Sequence, residues 1–154
     1  DGGWGEGLCP MDVFLKNTHE LLGPLHAATA RQRLTKFEFL DAAGLVRRST
    51  FGREKERTVV TANLGTSDAE VDSPRGGKVL LPAYGVVIDA PNFAAFYARR
   101  WGGVEFPEGA LVTFRSADGR PLEQAAKIAG YHGFGKLPAG ASLGLLKNVE
   151  FGKR

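Results

Sequence analysis

At Arg33 the sequence changes its period, and that change does most to decide what the chain can fold into. Before it, Val13, Phe14, Leu21, Leu22 and Leu25 recur at helical spacing, while Lys16, Asn17, His19 and Glu20 occupy other faces. After it the pattern alternates. In Leu34-Thr35-Lys36-Phe37-Glu38-Phe39-Leu40, Phe37 and Phe39 share one face and Lys36 and Glu38 the other. Successive side chains of a strand point to opposite sides, so this is the pattern of a half-buried strand. The same reading places strands over residues 45–51, 57–64, 78–81, 85–89, 93–101, 111–116 and 125–131, and a weak last one around 149–151. The punctuation is dense, with 21 Gly and 8 Pro in 154 residues, so the strands are short and their connections tight. Tight connections imply antiparallel pairing, because parallel neighbours need long crossovers. The expected fold is mainly β: an antiparallel β-sandwich preceded by one N-terminal α-helix, with residues 1–33 as loop and helix and 34–154 as the sandwich.

Three local expectations follow. Pro10 ahead of Met11-Asp12 suits a helix start, since an early Asp faces the positive end of the helix dipole. Gly23-Pro24 should break or kink the helix after Leu22, because proline lacks the amide hydrogen and clashes with the preceding turn. Strict alternation along residues 93–101 sets Phe93, Tyr97 and Trp101 on one face, as core rather than as a carbohydrate platform.

Composition excludes several classes. With 43% hydrophobic and 24% charged residues the chain can bury a core without disulfides or metal. No window approaches the roughly 18 apolar residues of a membrane-spanning helix, so no membrane partner is expected. The net charge is +3 and the basic residues come in pairs, Arg47-Arg48, Arg99-Arg100 and Lys153-Arg154, rather than as one basic face, so no nucleic-acid partner is expected either. Cys9 stands alone and can supply neither an internal disulfide nor a zinc site. The chain opens on Asp1 rather than on a methionine, which reads as a piece of a longer protein.

Catalytic signatures are sparse. His19, His26 and His132 coexist with Ser and Asp but lack a nucleophile-elbow context. No metal-ligand spacing occurs, and no cofactor or metal is expected. The glycines at 3, 5 and 7 lack the spacing of a dinucleotide loop, and Gly133-Phe134-Gly135 reads as a bulge or turn. Glu38, Glu105, Glu108 and Asp118 fall at surface or turn positions. The exception is Glu6 beside Trp4, a carboxylate next to an aromatic ring, which is one way to hold a sugar.

Several stretches carry a family pattern in serial order. The first is Phe14-Leu15-Lys16-Asn17-Thr18-His19-Glu20-Leu21-Leu22-Gly23-Pro24-Leu25-His26, followed by Thr35-Lys36-Phe37-Glu38-Phe39-Leu40 and Ser49-Thr50-Phe51-Gly52. The second is Thr58-Val59-Val60-Thr61-Ala62-Asn63-Leu64-Gly65, followed by Leu80-Leu81-Pro82-Ala83-Tyr84-Gly85-Val86-Val87. Over residues 10–135 the chain resembles the end of a glycoside-hydrolase-type (β/α)8 barrel, its last helix, running into the C-terminal β-sandwich. The resemblance implies that the catalytic acids lie on barrel strands ahead of Asp1. It implies that residues 1–10 are the loop after the last barrel strand, where barrel active sites sit. On that ground Trp4 and Glu6 are the candidate substrate-binding residues, and no residue of this chain is assigned a catalytic role. The implied function is a non-catalytic accessory domain that packs against the barrel of its own chain, in a secreted or periplasmic protein acting on carbohydrate. The alternative is a stand-alone carbohydrate-binding module.

Overall fold

The computed structural model describes residues 7–137 and 149–151. It is mainly β, with one helix ahead of the strands, as the change of period predicts. The helix α1 spans Pro10–Thr29. Pro10 is its first residue, where the absent amide hydrogen costs nothing, and the Cys9 N–H donates to Asp12 Oδ2 at 3.3 Å.

Gly23-Pro24 does not break the helix, the first of the two outcomes expected from the sequence. Pro24 lies inside an unbroken α1. An interior proline costs about 3 kcal/mol in a free helix. Here the turn beyond it is held from outside, because Leu25 and Ala28 pack on the sheet. The end is also closed by the Ala30 N–H on His26 O and the Thr29 hydroxyl on Leu25 O, each at 2.8 Å. Tertiary packing outweighs the local penalty.

The strands follow: β1 Leu34–Phe39, β2 Val46–Phe51, β3 Thr58–Asn63, β4 Ala69–Asp72, β5 Lys78–Leu81, β6 Val86–Ala90, β7 Phe93–Trp101, β8 Val104–Ser116, β9 Ile128–Phe134 and β10 Val149–Phe151. The hydrogen-bonded order is β1-β2-β3-β6-β7-β8-β9-β10, with the β4–β5 hairpin joined to the end of β7. All pairs are antiparallel except β9–β10, which is parallel. Two expectations are amended. Strand β4 escapes the sequence reading, and β8 begins at Val104 rather than near residue 111, running through Pro107 and Gly109. Asp118-Gly119 lies in the 117–127 connection between β8 and β9. There the Asp118 carboxylate accepts from the Ser116 hydroxyl at 2.7 Å and from the Arg120 N–H at 3.2 Å.

The register separates two faces. One carries Val87, Ala94, Phe96, Val112 and Phe114, and the β4–β5 hairpin covers it with Val71, Val79 and Leu81 to form the main core. The other carries Val60, Val86, Ile88, Phe93 and Ala95 and lies under α1. Trp101 departs from the expected alternation. A register shift between Ala98 and Arg100 turns the end of β7 over, so Trp101 leaves the face of Phe93 and Tyr97 for the main core. It is 2% exposed and stacks on Phe96 with ring centroids 4.8 Å apart. The pairing passes from Ala98 opposite Ala110 to Arg100 opposite Glu105, so the extra residues lie in β8 and the regular ladder is interrupted where β7 turns over.

Residues 58–65 and 80–87, the two pieces of the second stretch quoted above, meet around buried Asn63. Its amide donates to Ser67 O at 2.7 Å and to Pro82 O at 2.9 Å, and its Oδ1 accepts from the Gly65 N–H at 2.9 Å. The Asn63 N–H donates to Gly85 O at 2.9 Å. Gly85 has no room for a side chain, since an added Cβ would lie 2.7 Å from the Pro82 ring. The Asn-x-Gly and Pro-x-Tyr-Gly pieces therefore form one loop junction.

Candidate interaction surface

The inner side of α1 is fixed to the sheet by apolar and polar contacts together. Leu21, Leu25 and Ala28 rest on the Ile88–Phe93–Ala95 patch. Beside them sits Glu20, which helical spacing assigns to a polar face but which is only 6% exposed. Burying a carboxylate demands compensation. Lys16 Nζ supplies it at 2.7 Å from Oε1, and Arg115 Nη2 on β8 at 2.9 Å from Oε2. One turn away, Asn17 Oδ1 accepts the Tyr131 hydroxyl of β9 at 2.8 Å. Burial, with the nearby Glu20 charge, pushes the Tyr131 phenol well above its ordinary pKa, so it stays a donor.

Gly133 makes this approach possible. A Cβ there would lie 2.3 Å from Asn17 Oδ1 and 2.8 Å from Leu111 Cδ2. The Gly133-Phe134-Gly135 segment thus serves close helix–strand approach, with Gly133 in β9, rather than phosphate binding. Helical pattern alone could not find Glu20, because its partner Arg115 lies far along the chain.

The outer side of the same helix is apolar and exposed. Met11, Phe14, Leu15 and Leu22 fall at i, i+3, i+4 and i+11 and form one stripe, with Phe14 62% exposed. A second apolar group lies on the β1–β2 hairpin, where Leu34, Phe37, Phe39, Leu40 and Leu45 are all exposed.

Two clefts accompany these surfaces. A cleft of about 490 Å³ runs between the helix and the start of β7, lined by His19, Pro24, Ala27, Phe93 and Arg115 among others. Another, about 570 Å³, lies around Arg75 and is lined by Asp89, Ala90 and Pro91 among others. Arg75 Nε lies 2.8 Å from Asp89 Oδ1, Nη2 donates to Ala90 O at 2.7 Å, and Nη1 pairs with Glu123. Burial raises the Asp89 pKa, with Arg75 acting against it. One guanidinium thus binds both carboxylates and ties the 73–77 turn to β6 and the 121–124 loop, which is the chemistry of a clamp.

The sequence-derived residues distribute as follows. Trp4 and Glu6 lie outside the described residues. Phe93, Phe96 and Trp101 are buried and offer no sugar platform. Glu38, Glu105 and Asp118 stand in ion pairs with Lys36, Arg100 and Arg120. Arg99 and Arg100 face Asp68 and Glu70. Among the described residues no group of three His, Cys, Asp or Glu side chains could hold a metal ion. No family model, curated protein or solved structure matches the chain.

Proposed function

We propose that this chain is a non-catalytic accessory domain of a glycoside-hydrolase-like, carbohydrate-active protein, and that α1 lays its outer stripe against the (β/α)8 barrel of that protein. The observation that carries the reading is the exposed row Met11, Phe14, Leu15 and Leu22 on a helix whose adjacent residues Leu21, Leu25 and Ala28 are already packed on the sheet. A helix whose apolar arc is only partly covered gains by burying the rest, at about 25 cal/mol for each Å² removed from water. The stripe falls within the segment resembling a last barrel helix, and that resemblance names the barrel as the occupant. The other resembling stretches support a scaffold role, since Asn63, Gly65, Pro82 and Gly85 build a loop junction. In this reading Trp4 and Glu6 approach the barrel mouth, and carbohydrate is met there rather than on the sandwich.

Two measurements test it. The sequence encoded immediately ahead of Asp1 should alternate strands and helices, and a different architecture there removes the proposed partner. The purified chain should leave aryl glycosides and polysaccharides intact, and turnover by it defeats the non-catalytic assignment. Retarded migration of the chain in a glycan-containing gel would favour the stand-alone binding module instead.

A further inference from the structure

Strand β1 is hydrogen-bonded to β2 along one side, and among the described residues its other side is open. One bond sets the phase of its backbone. The Leu40 N–H donates to Val46 O at 2.8 Å, in register with the β1–β2 ladder. Peptide groups alternate sides along an antiparallel strand. Lys36 and Glu38 therefore turn theirs toward β2, and Phe37 and Phe39 turn theirs outward.

We infer that β1 pairs antiparallel with β1 of a second copy of this chain, about a twofold axis at Phe37, so that the sheet continues across a dimer. In this register the two Phe37 residues exchange both N–H···O bonds. The flanking positions are non-hydrogen-bonded pairs, where side chains come closest. There Lys36 of each copy stands opposite Glu38 of the other. Within one chain the same two groups lie 2.8 Å apart, so both point to one side of the strand, as the pairing requires. A parallel, in-register arrangement would set Lys36 on Lys36, so the charges select both direction and register. An edge lysine ordinarily repels a neighbouring strand, and the Lys-x-Glu spacing turns that guard into a match.

The opposite side of the strand adds apolar surface. Phe37 is 48% and Phe39 60% exposed, with their rings edge-to-face at 5.1 Å between centroids. The twofold brings the two Phe37 side chains together. The register shift between Leu34 and Lys36 limits the regular ladder to residues 36–39 and the short span around the axis. A contact this small gives a reversible, concentration-dependent dimer. The inference does not depend on the proposed accessory role, since α1 takes no part in it.

Sedimentation velocity over a dilution series tests it, with thermal melts by circular dichroism confirming that each variant is folded. The wild-type chain should pass reversibly from monomer to dimer. Glu38→Lys sets lysine on lysine at both flanking pairs and should raise the dissociation constant by about tenfold or more. Lys36→Glu sets glutamate on glutamate with the same effect, and carries the test alone should the first variant fail to fold. The exchange Lys36→Glu with Glu38→Lys recreates the match and should restore the dimer. A chain monomeric at every concentration overturns the inference. So does a dimer indifferent to both single reversals, the more so if Met11→Gln with Phe14→Gln dissolves it and moves the contact to the helix.

Discussion

The two faces of the sheet are closed by different means. The face under the β4–β5 hairpin is covered by strands, and its aromatic group of Phe96, Trp101, Phe106 and Phe114 is buried and stacked. The face under α1 is closed by one helix through half-buried Leu21 and Leu25 and a charged anchor at Glu20. Beyond the helix that face stays open at Phe37 and Phe39. The first face supports itself by dispersion and water exclusion. The second combines a modest apolar contact with polar links whose strength depends on geometry. A scaffold and a docking element can thus occupy opposite sides of one sheet.

Substitutions can break this contrast. Trp101→Ala should have the largest effect, a loss of about 3–5 kcal/mol in urea or thermal unfolding, because it opens a cavity among stacked rings. Gly133→Ala comes next, at about 1–3 kcal/mol, since the new methyl displaces Asn17 and with it the helix. Leu25→Ala should cost about 1–2 kcal/mol, below the range for full burial because the side chain is only partly covered. If Leu25→Ala cost as much as Trp101→Ala, the two faces would not differ as described.

Glu20→Gln should cost about 1 kcal/mol, because Lys16 and Arg115 lose their charge partner but remain half in water. Hydrogen exchange should then quicken in α1 before it does in β7 and β8.

The smallest effect is a slope with pH. The folded Asp89 pKa is raised, so between the ordinary carboxylate value and that raised value the native state binds more proton than the unfolded chain. The Asp89 contribution to stability therefore falls as pH rises through that window. It is most favourable below the window. Asp89→Asn should flatten that part of the stability–pH curve, and an unchanged slope would assign it to other groups. The exposed carboxylates Asp72 and Asp118 have lowered pKa values and contribute with the opposite sign.

Much of the fold is legible in the sequence where one rule acts alone. The alternation of Phe37 and Phe39, the β-branched run at residues 58–61 and the Pro10 start each give an element at nearly its observed place. The misses occur where two rules compete. Pro24 should end a helix by local energetics, but Leu25 and Ala28 find a sheet. Trp101 follows alternation until a register shift turns the strand over, and a register shift is a property of two paired strands. In β4, Ala69-Glu70-Val71-Asp72 buries only Val71, and its acidic neighbours hide the pattern. Of the site, the outer stripe shares the helical signal with the inner one, and only coordinates separate covered from open residues. Glu20 carries no sequence signal of burial, because its compensating cation comes from β8. Trp4 and Glu6, the residues singled out near substrate, lie outside the described residues.

The path of β7 past its register shift has one more consequence. The strand begins beside β6 and ends beside β5, so one stretch of backbone belongs to both layers of the core. Force on either layer is carried covalently to the other, and neither can peel away while β7 and its long neighbour β8 hold. Pulled by its ends, the molecule should lose α1 and the terminal strands first and then yield in a single rupture, when this shared spine gives way.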